Sequence, residues 1–216
     1  MSRIVLASGS PRRKELLEQI GIEFEICPAK GEEVITKNIP DEVVQELSRQ
    51  KAMEVASGIA AYNEAHPDLV TPQDILVIGA DTVVAYNGQI LGKPKDEADA
   101  RRMLTMLAGN VHSVYTGVTF VVMGSDGRTG AYTFAEKTDV HMFPMSEQEI
   151  ERYIQTKEPM DKAGAYAIQG KCGIYIEKID GDYYNVVGLP IARMYQTLKS
   201  IGIDLYAPDM VHCEKM

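Results

Sequence analysis

A single α/β domain built on a mixed β-sheet is the fold class that this sequence predicts, and three observations carry it. Short apolar runs of strand character alternate with helical patterns through the first half, beginning with RIVLAS and then SPRRKELLEQIG. Two long β-runs, SVYTGVTFVVM and RTGAYTFAEKTDVHMF, are joined by GSDG, which is a hairpin signal. The 216 residues suffice to bury a real core, as one large domain or two small lobes. No repeat, low-complexity tract or composition shift divides them, so one domain over 1–216 is expected.

The elements follow in order. RIVLAS is a buried first strand. The helix after it has Ser10 at the N-cap, Pro11 at the first helical position, an apolar stripe of Leu16, Leu17 and Ile20, and a stop at Gly21. IEFEICPA reads as a second strand leading into an acidic turn with Glu32 and Glu33. A helix is predicted from about Pro40 to Ala56, with Val43, Val44, Leu47 and Lys51 along it. The second half of SGIAAYNEAHPDLVTPQD is loop-like. ILVIGADTVVAYNGQILGKP begins as a buried strand that meets Asp81, then turns at Asn87-Gly88 and ends at Lys93-Pro94. A helix covers Asp96 to Leu107, and the two long β-runs follow. Ser146 and Glu149 form a capping box for the next helix. The stretch EPMDKAGAYAIQGKCGIYIEKIDGDYYNVVGLP mixes a glycine-rich loop with two strands, and Pro190 to Ile201 is the last helix.

Composition removes several function classes. A formal net charge of −9 disfavours a nucleic acid polymer or an anionic membrane as partner, because both need a broad basic surface. No run approaches the roughly 18 apolar residues of a membrane span, and MSRIVLAS lacks a secretory apolar core, so a soluble, cytoplasmic protein is expected. The three cysteines, Cys27, Cys172 and Cys213, are widely spaced and predict reduced thiols, with Cys27 and Cys172 packed. The four histidines have no metal-ligand spacing, so a metal here would be held by oxygen.

In an acidic chain, a local basic cluster is informative. At the turn SGSPRR, backbone N–H groups of a helix N-terminus can be joined by Ser8, Ser10, Arg12 and Arg13 as donors to an anion, and phosphate suits them. A plain N-cap with two solvated arginines is the alternative, although basic residues are mildly unfavourable at that end of a helix. The absence of G-x-x-x-x-G-K-[ST] excludes a P-loop. Asp81 closes a run of buried aliphatics and is followed by Thr82. A carboxylate at a central strand end is where α/β proteins place ligand contacts, and a turn-capping Asp is the simpler alternative. Lys93 and Lys51 each read either as exposed lysines or as site cations; Lys51 shares a helical face with Leu47, Val44 and Val55 and borders the core. In EPMDKAGAYAIQG, small residues let backbone approach a ligand, and the Gln169 amide can donate and accept at once against a base edge.

The set SGSPRR, GADTVV, GKP, YTGV, EPMDKAGAYAIQG and NVVGLP, in this order, resembles the Maf family of nucleoside triphosphate pyrophosphatases, also called septum formation inhibitors. The resemblance spans about residues 3–201 and leaves 202–216 as a tail. It implies a mixed, twisted α/β sheet flanked by helices, shared with inosine triphosphate pyrophosphatases, with two lobes around a deep cleft. It also implies hydrolysis of a nucleotide to monophosphate and pyrophosphate, a divalent metal (Mg²⁺, Mn²⁺ or Co²⁺) and a homodimer. Carried over by residue, the catalytic base is Asp81, and the phosphate-binding and acidic positions are Ser8, Arg13, Glu33, Lys51 and Lys93; Glu32 stands beside Glu33. Asp81 and Glu33 are the implied metal-associated acids. The branch acting on dTTP and UTP carries Arg12, Thr82 and Gln169 at the matching positions. A triphosphate brings about four negative charges into the site, which lysines, arginines and a metal must neutralise locally. Two readings rival this one: a pyrophosphatase for another base, such as a damaged purine nucleotide, on the same scaffold, and a non-catalytic nucleotide-binding regulator of division, which has no need for Asp81 among these cations.

Overall fold

The computed structural model describes residues 3–69 and 71–206. Most of the elements expected from the sequence are present: strands β1 (Arg3–Leu6), β2 (Glu25–Ile26), β3 (Ile75–Tyr86), β4 (Gln89–Leu91), β5 (Val111–Met123), β6 (Thr129–Met142) and β7 (Ile176–Asp180). The helices are α1 (Pro11–Gln19), α2 (Pro40–Ala65), α3 (Glu97–Leu107), α4 (Glu147–Gln155), α5 (Tyr183–Val187) and α6 (Ile191–Ser200). The strands form one mixed sheet in the order β2-β1-β3-β5-β6-β7, with β4 paired to β3. β1 runs parallel to both β2 and β3, and the remaining pairs are antiparallel.

Both faces of the sheet are covered, which explains why β1 and the start of β3 are continuously apolar rather than alternating. Ile4, Leu6, Leu76, Ile78 and Ala80 pack with Leu16 and Leu17 of α1 and Met194 and Leu198 of α6. Val5, Ala7, Ile75 and Val77 pack on the other face against Ala52, Val55 and Ala56 of α2. A separate core joins α3, α4 and the far ends of the long strands through Leu104, Val114, Val140, Ile154 and Tyr166. Each fully buried Leu or Ile here contributes about 1.5–3 kcal/mol of transfer free energy.

Four expectations are corrected. Asp81 does not end its strand: β5 pairs with β3 from Ile75 through Ala85, and that ladder carries β3 past it. α2 continues to Ala65, because the alanine-rich segment after Ala56 outweighs the cost of Gly58, and it stops before Pro67. The second strand shrinks to Glu25–Ile26, the residues in register with Val5 and Leu6 at the end of the short β1; Cys27, whose N–H donates to the Leu6 carbonyl at 3.0 Å, sits at the sheet margin and is exposed, while Cys172 is buried as expected. The stretch from Glu158 to Pro190 contains one strand rather than two, since Asp182 accepts from the Tyr184 N–H and starts α5. Cys213, His212 and the rest of the 207–216 tail lie outside the described residues. Among the described residues no helix is long and apolar enough to cross a membrane.

His112 makes a testable contribution to this core. It is 2% exposed, its Nε2 lies 2.7 Å from the Tyr166 hydroxyl, and its Nδ1 has no hydrogen-bond partner among the described residues. Burial pushes its pKa down to about 4. An unfolded chain takes up that proton near pH ~6.5, so the stability present above that pH is lost as pH falls towards the folded value, by up to about 3 kcal/mol. His112→Gln is expected to flatten the melting-temperature profile between those two pH values. An unchanged slope would rule His112 out as a source of acid sensitivity.

Candidate active site

A gap in the sheet creates the site. The β1–β3 ladder ends at the pair Leu6–Ile78, and the β3–β4 ladder begins at Val84–Leu91. Between them, the β3 edge from residue 79 to 83 opens into a cleft of about 950 Å³. The α1 turn, the segment after β2, α2, the Lys93 turn and the 161–169 loop surround it. Its lining includes the cations Arg12, Arg13, Lys37, Lys51, Lys93 and Lys162 against the carboxylates Glu33, Asp81 and Asp161. A cleft with this cation excess in a protein of net charge −9 is built for an anion.

Strand alternation sorts the central residues. Asp81 shares parity with Val77 and faces α2, whereas Thr82 shares parity with Ile78 and faces α1. Gly117, the β5 residue opposite Asp81, has no side chain; a Cβ there would collide with the Val44 backbone, so only glycine lets α2 lie this close. The result is that Lys51 of α2 reaches Asp81, with Nζ 2.5 Å from Oδ1, and also Glu33, at 2.9 Å from Oε1. The Asp81 carboxylate uses only Oδ1 in this bond, and Oδ2 has no hydrogen bond among the described residues.

On the other side, Arg13 is half-buried, without a carboxylate in hydrogen-bond contact. Its Nε donates to the Gly188 carbonyl at 2.9 Å, Nη1 to Ser8 Oγ at 3.0 Å and Nη2 to Thr82 Oγ1 at 3.1 Å. Burial lowers the guanidinium's pKa, and neighbouring Arg12 adds to that, while Asp81 opposes it. The charge persists at neutral pH, because arginine does not lose its proton in proteins. Thr116 donates its single hydroxyl hydrogen to the Asn185 carbonyl, so in the Thr82–Thr116 contact of 2.9 Å Thr82 is the donor. Thr82 therefore accepts from Arg13 and spends its hydrogen on Thr116; in this arrangement it holds the guanidinium. Ser10 is the N-cap residue but its side chain makes no capping bond, and its N–H donates to Ser8 Oγ at 3.3 Å.

Other expected residues also line the cleft. Arg12 lies 3.5 Å from Asp161, which is itself paired with Lys162. Lys93 is exposed at the rim and has no ion-pair partner among the described residues. Gln169 also lines the cleft, on a turn at the end of the glycine-rich loop. Of the two adjacent acids, Glu33 lines the cleft and Glu32 does not. Residues 30–36 have no strand partner and are tied to one face of α2: Lys30 and Gly31 N–H groups donate to Glu54, Val34 N–H to Gln50, and Thr36 N–H to Glu46. The spacing of four between these α2 residues puts them on one stripe, and that stripe carries Glu33 to Lys51.

Sequence reasoning missed Lys37, Asp161 and Lys162. The Asp161-Lys162 pair stood inside EPMDKAGAYAIQG, the stretch whose small residues let backbone approach a ligand. Among the described residues no three His, Cys, Asp or Glu side chains are grouped to hold a metal ion. Asp81 and Glu33, converging on Lys51, nevertheless suit Mg²⁺, which takes one or two protein carboxylates and completes its shell with water and substrate phosphates.

Comparison with known proteins identifies the family. The model of the family described as Maf-like protein matches residues 3–201. A dTTP/UTP pyrophosphatase of Agathobacter rectalis is 68% identical over 205 residues, covering 95% of this chain and 100% of that protein. Proteins of the same description from Lachnoclostridium phytofermentans and Bacillus cereus are 48% and 47% identical, each covering 95% of this chain and 98% of the relative. Among solved structures, the Staphylococcus aureus Ham1 protein gives a weak likeness, with a TM-score of 0.36 and 12% identity over 93% of this chain and 99% of that one. By its family match and by these relatives, the chain belongs to the Maf-like family.

Proposed function

We propose that this protein hydrolyses dTTP and UTP to the nucleoside monophosphate and pyrophosphate. The observation that carries the reading is the pairing of Asp81 and Lys51 in one cleft with a half-buried Arg13 whose hydrogen-bond partners are all neutral. Names of relatives up to 68% identical point to the same substrates. Asp81 Oδ2 orients a water and takes its proton as the oxygen attacks the α-phosphorus. Lys51 fixes the Asp81 carboxylate through Oδ1. Arg13, Lys93 and Lys162 bind the phosphates and stabilise the negative charge that gathers on the leaving pyrophosphate. A divalent cation, Mg²⁺ or alternatively Mn²⁺ or Co²⁺, would be held by Asp81 and Glu33 and would supply charge neutralisation for the triphosphate.

The deciding experiment uses UTP labelled at the γ-phosphate. Label recovered in intact pyrophosphate is the expected outcome; label released as orthophosphate, with UDP as partner, would mean a phosphatase.

Base choice falls to Gln169 and Arg12. Uracil and thymine present two carbonyl acceptors around one N3–H donor, so the Gln169 amide can accept from N3–H and donate to a carbonyl. Rotated, that amide satisfies cytosine equally well. Arg12 only donates, and it would meet cytosine's amino group donor to donor. Each unmade buried contact costs about 1–3 kcal/mol, or about 5- to 150-fold. Arg12→Ala is therefore expected to narrow the UTP-to-CTP ratio of kcat/KM, whereas Lys93→Ala lowers both alike. Equal losses for UTP and CTP in Arg12→Ala would make Arg12 a phosphate ligand instead.

A further inference from the structure

Gln169 sits on a tight turn, and the structure shows what holds that turn. The Gly170 N–H donates to the Ala167 carbonyl at 3.2 Å, so Ile168 and Gln169 are its two central residues. Two residues before Gln169, the Ala167 N–H donates to the Tyr153 hydroxyl at 3.2 Å. Two residues after it, the Lys171 N–H donates to both oxygens of Glu158, at 3.0 and 3.2 Å. Those two acceptors are joined, since the Tyr153 hydroxyl donates to Glu158 Oε1 at 2.9 Å. A Cβ on Gly170 would collide with the Glu158 carboxylate, so the glycine of IQG is needed for this approach. Tyr153 is 4% exposed and Glu158 is half-buried, whereas the Gln169 side chain is exposed to the cleft.

We infer that Tyr153 and Glu158 are positioning residues for base choice: one hydrogen-bonded pair anchors both flanks of the Gln169 turn and so fixes where its amide stands in the cleft. The physical reason is that an exposed glutamine has three side-chain torsions, and it can discriminate bases only if its backbone does not add further freedom. Neither residue lines the cleft, so neither touches the nucleotide. The carboxylate suits the role because it accepts from a phenol and a backbone N–H at once, and a charged acceptor makes the stronger bond.

This inference rests on the proposed reading of bases by Gln169, and the experiment separates the two. Steady-state kcat and KM for UTP and CTP are measured for Tyr153→Phe, Glu158→Ala, Glu158→Gln, Gln169→Ala and the double variant Tyr153→Phe/Gln169→Ala. Tyr153→Phe and Glu158→Ala are expected to lower the UTP-to-CTP ratio of kcat/KM about fivefold or more, mainly through KM for UTP. Glu158→Gln keeps an acceptor oxygen and should retain most of the ratio. Once Gln169 is alanine, adding Tyr153→Phe should change the ratio no further, because the anchor acts through that side chain. Faster hydrogen exchange at the Ala167 amide in Tyr153→Phe is expected alongside. If Glu158→Ala does not fold, Tyr153→Phe decides alone, since it deletes one buried oxygen. Should Gln169→Ala leave the ratio intact, the reading of bases by Gln169 falls and this inference with it. A collapse in Gln169→Ala with equal losses for both nucleotides in Tyr153→Phe would overturn the inference alone and leave Tyr153 a purely structural residue.

Discussion

Asp81→Asn is expected to lower kcat at least about 10²-fold while the protein folds normally, the scale at which loss of a general base is felt. The substitution keeps the shape of the side chain and its place midway along β3, so the Ile75–Ala85 ladder with β5 is untouched. Lys51 keeps Glu33 as a partner at 2.9 Å. What is lost is the proton acceptor and one negative charge beside that lysine. The measurement is single-turnover hydrolysis of UTP with circular dichroism and thermal melting on the same preparation. Turnover close to the wild-type value in a well-folded Asp81→Asn protein would sink Asp81 both as base and as metal-associated acid.

Arg13→Met should produce the second large effect, a loss of at least about 10²-fold in kcat/KM for UTP and CTP alike. Its guanidinium makes three hydrogen bonds, all to neutral oxygens, so its charge is left for the substrate. Removing a charged hydrogen-bonding group costs about 1.5–3 kcal/mol per bond to an anion, and a guanidinium fork can make two. A ligand that binds only the folded state raises the melting temperature, so inorganic pyrophosphate should stabilise the wild-type protein and not Arg13→Met. A variant that still gains stability from pyrophosphate and turns over normally would place the anion site elsewhere. An effect confined to UTP would instead make Arg13 a reader of bases.

Element type was legible wherever local chemistry decides it. The capping box is present, with the Ser146 side chain accepting from the Glu149 N–H and the Glu149 carboxylate accepting from the Ser146 N–H. Asp96 caps α3 by accepting from the Asp99 N–H, and Asn87 and Gly88, both at positive φ, turn the β3–β4 hairpin. These features need only a few neighbouring residues and a fixed backbone geometry. Boundaries were less legible, because a partner strand or a packing helix sets them: β3 runs past Asp81 on the strength of β5, and β2 is cut to the two residues in register with the end of β1.

By itself the sequence determined the fold class, the basic turn, the buried run that delivers Asp81, and the motifs that place the chain in its family. Those depend on residue type, spacing and order along the chain. Only the tertiary structure decided which charges meet. Lys51, Glu33 and Asp81 come from α2, an irregular segment and β3, and nothing local to any of them announces the other two. Thr82, read from sequence beside the substrate, proves to spend its hydroxyl on Arg13 and Thr116, a fact fixed by hydrogen-bond direction across 69 and 34 residues of separation. Long-range contacts of this kind depend on how helices pack on the two faces of the sheet, which alternation along one strand orients but cannot pair.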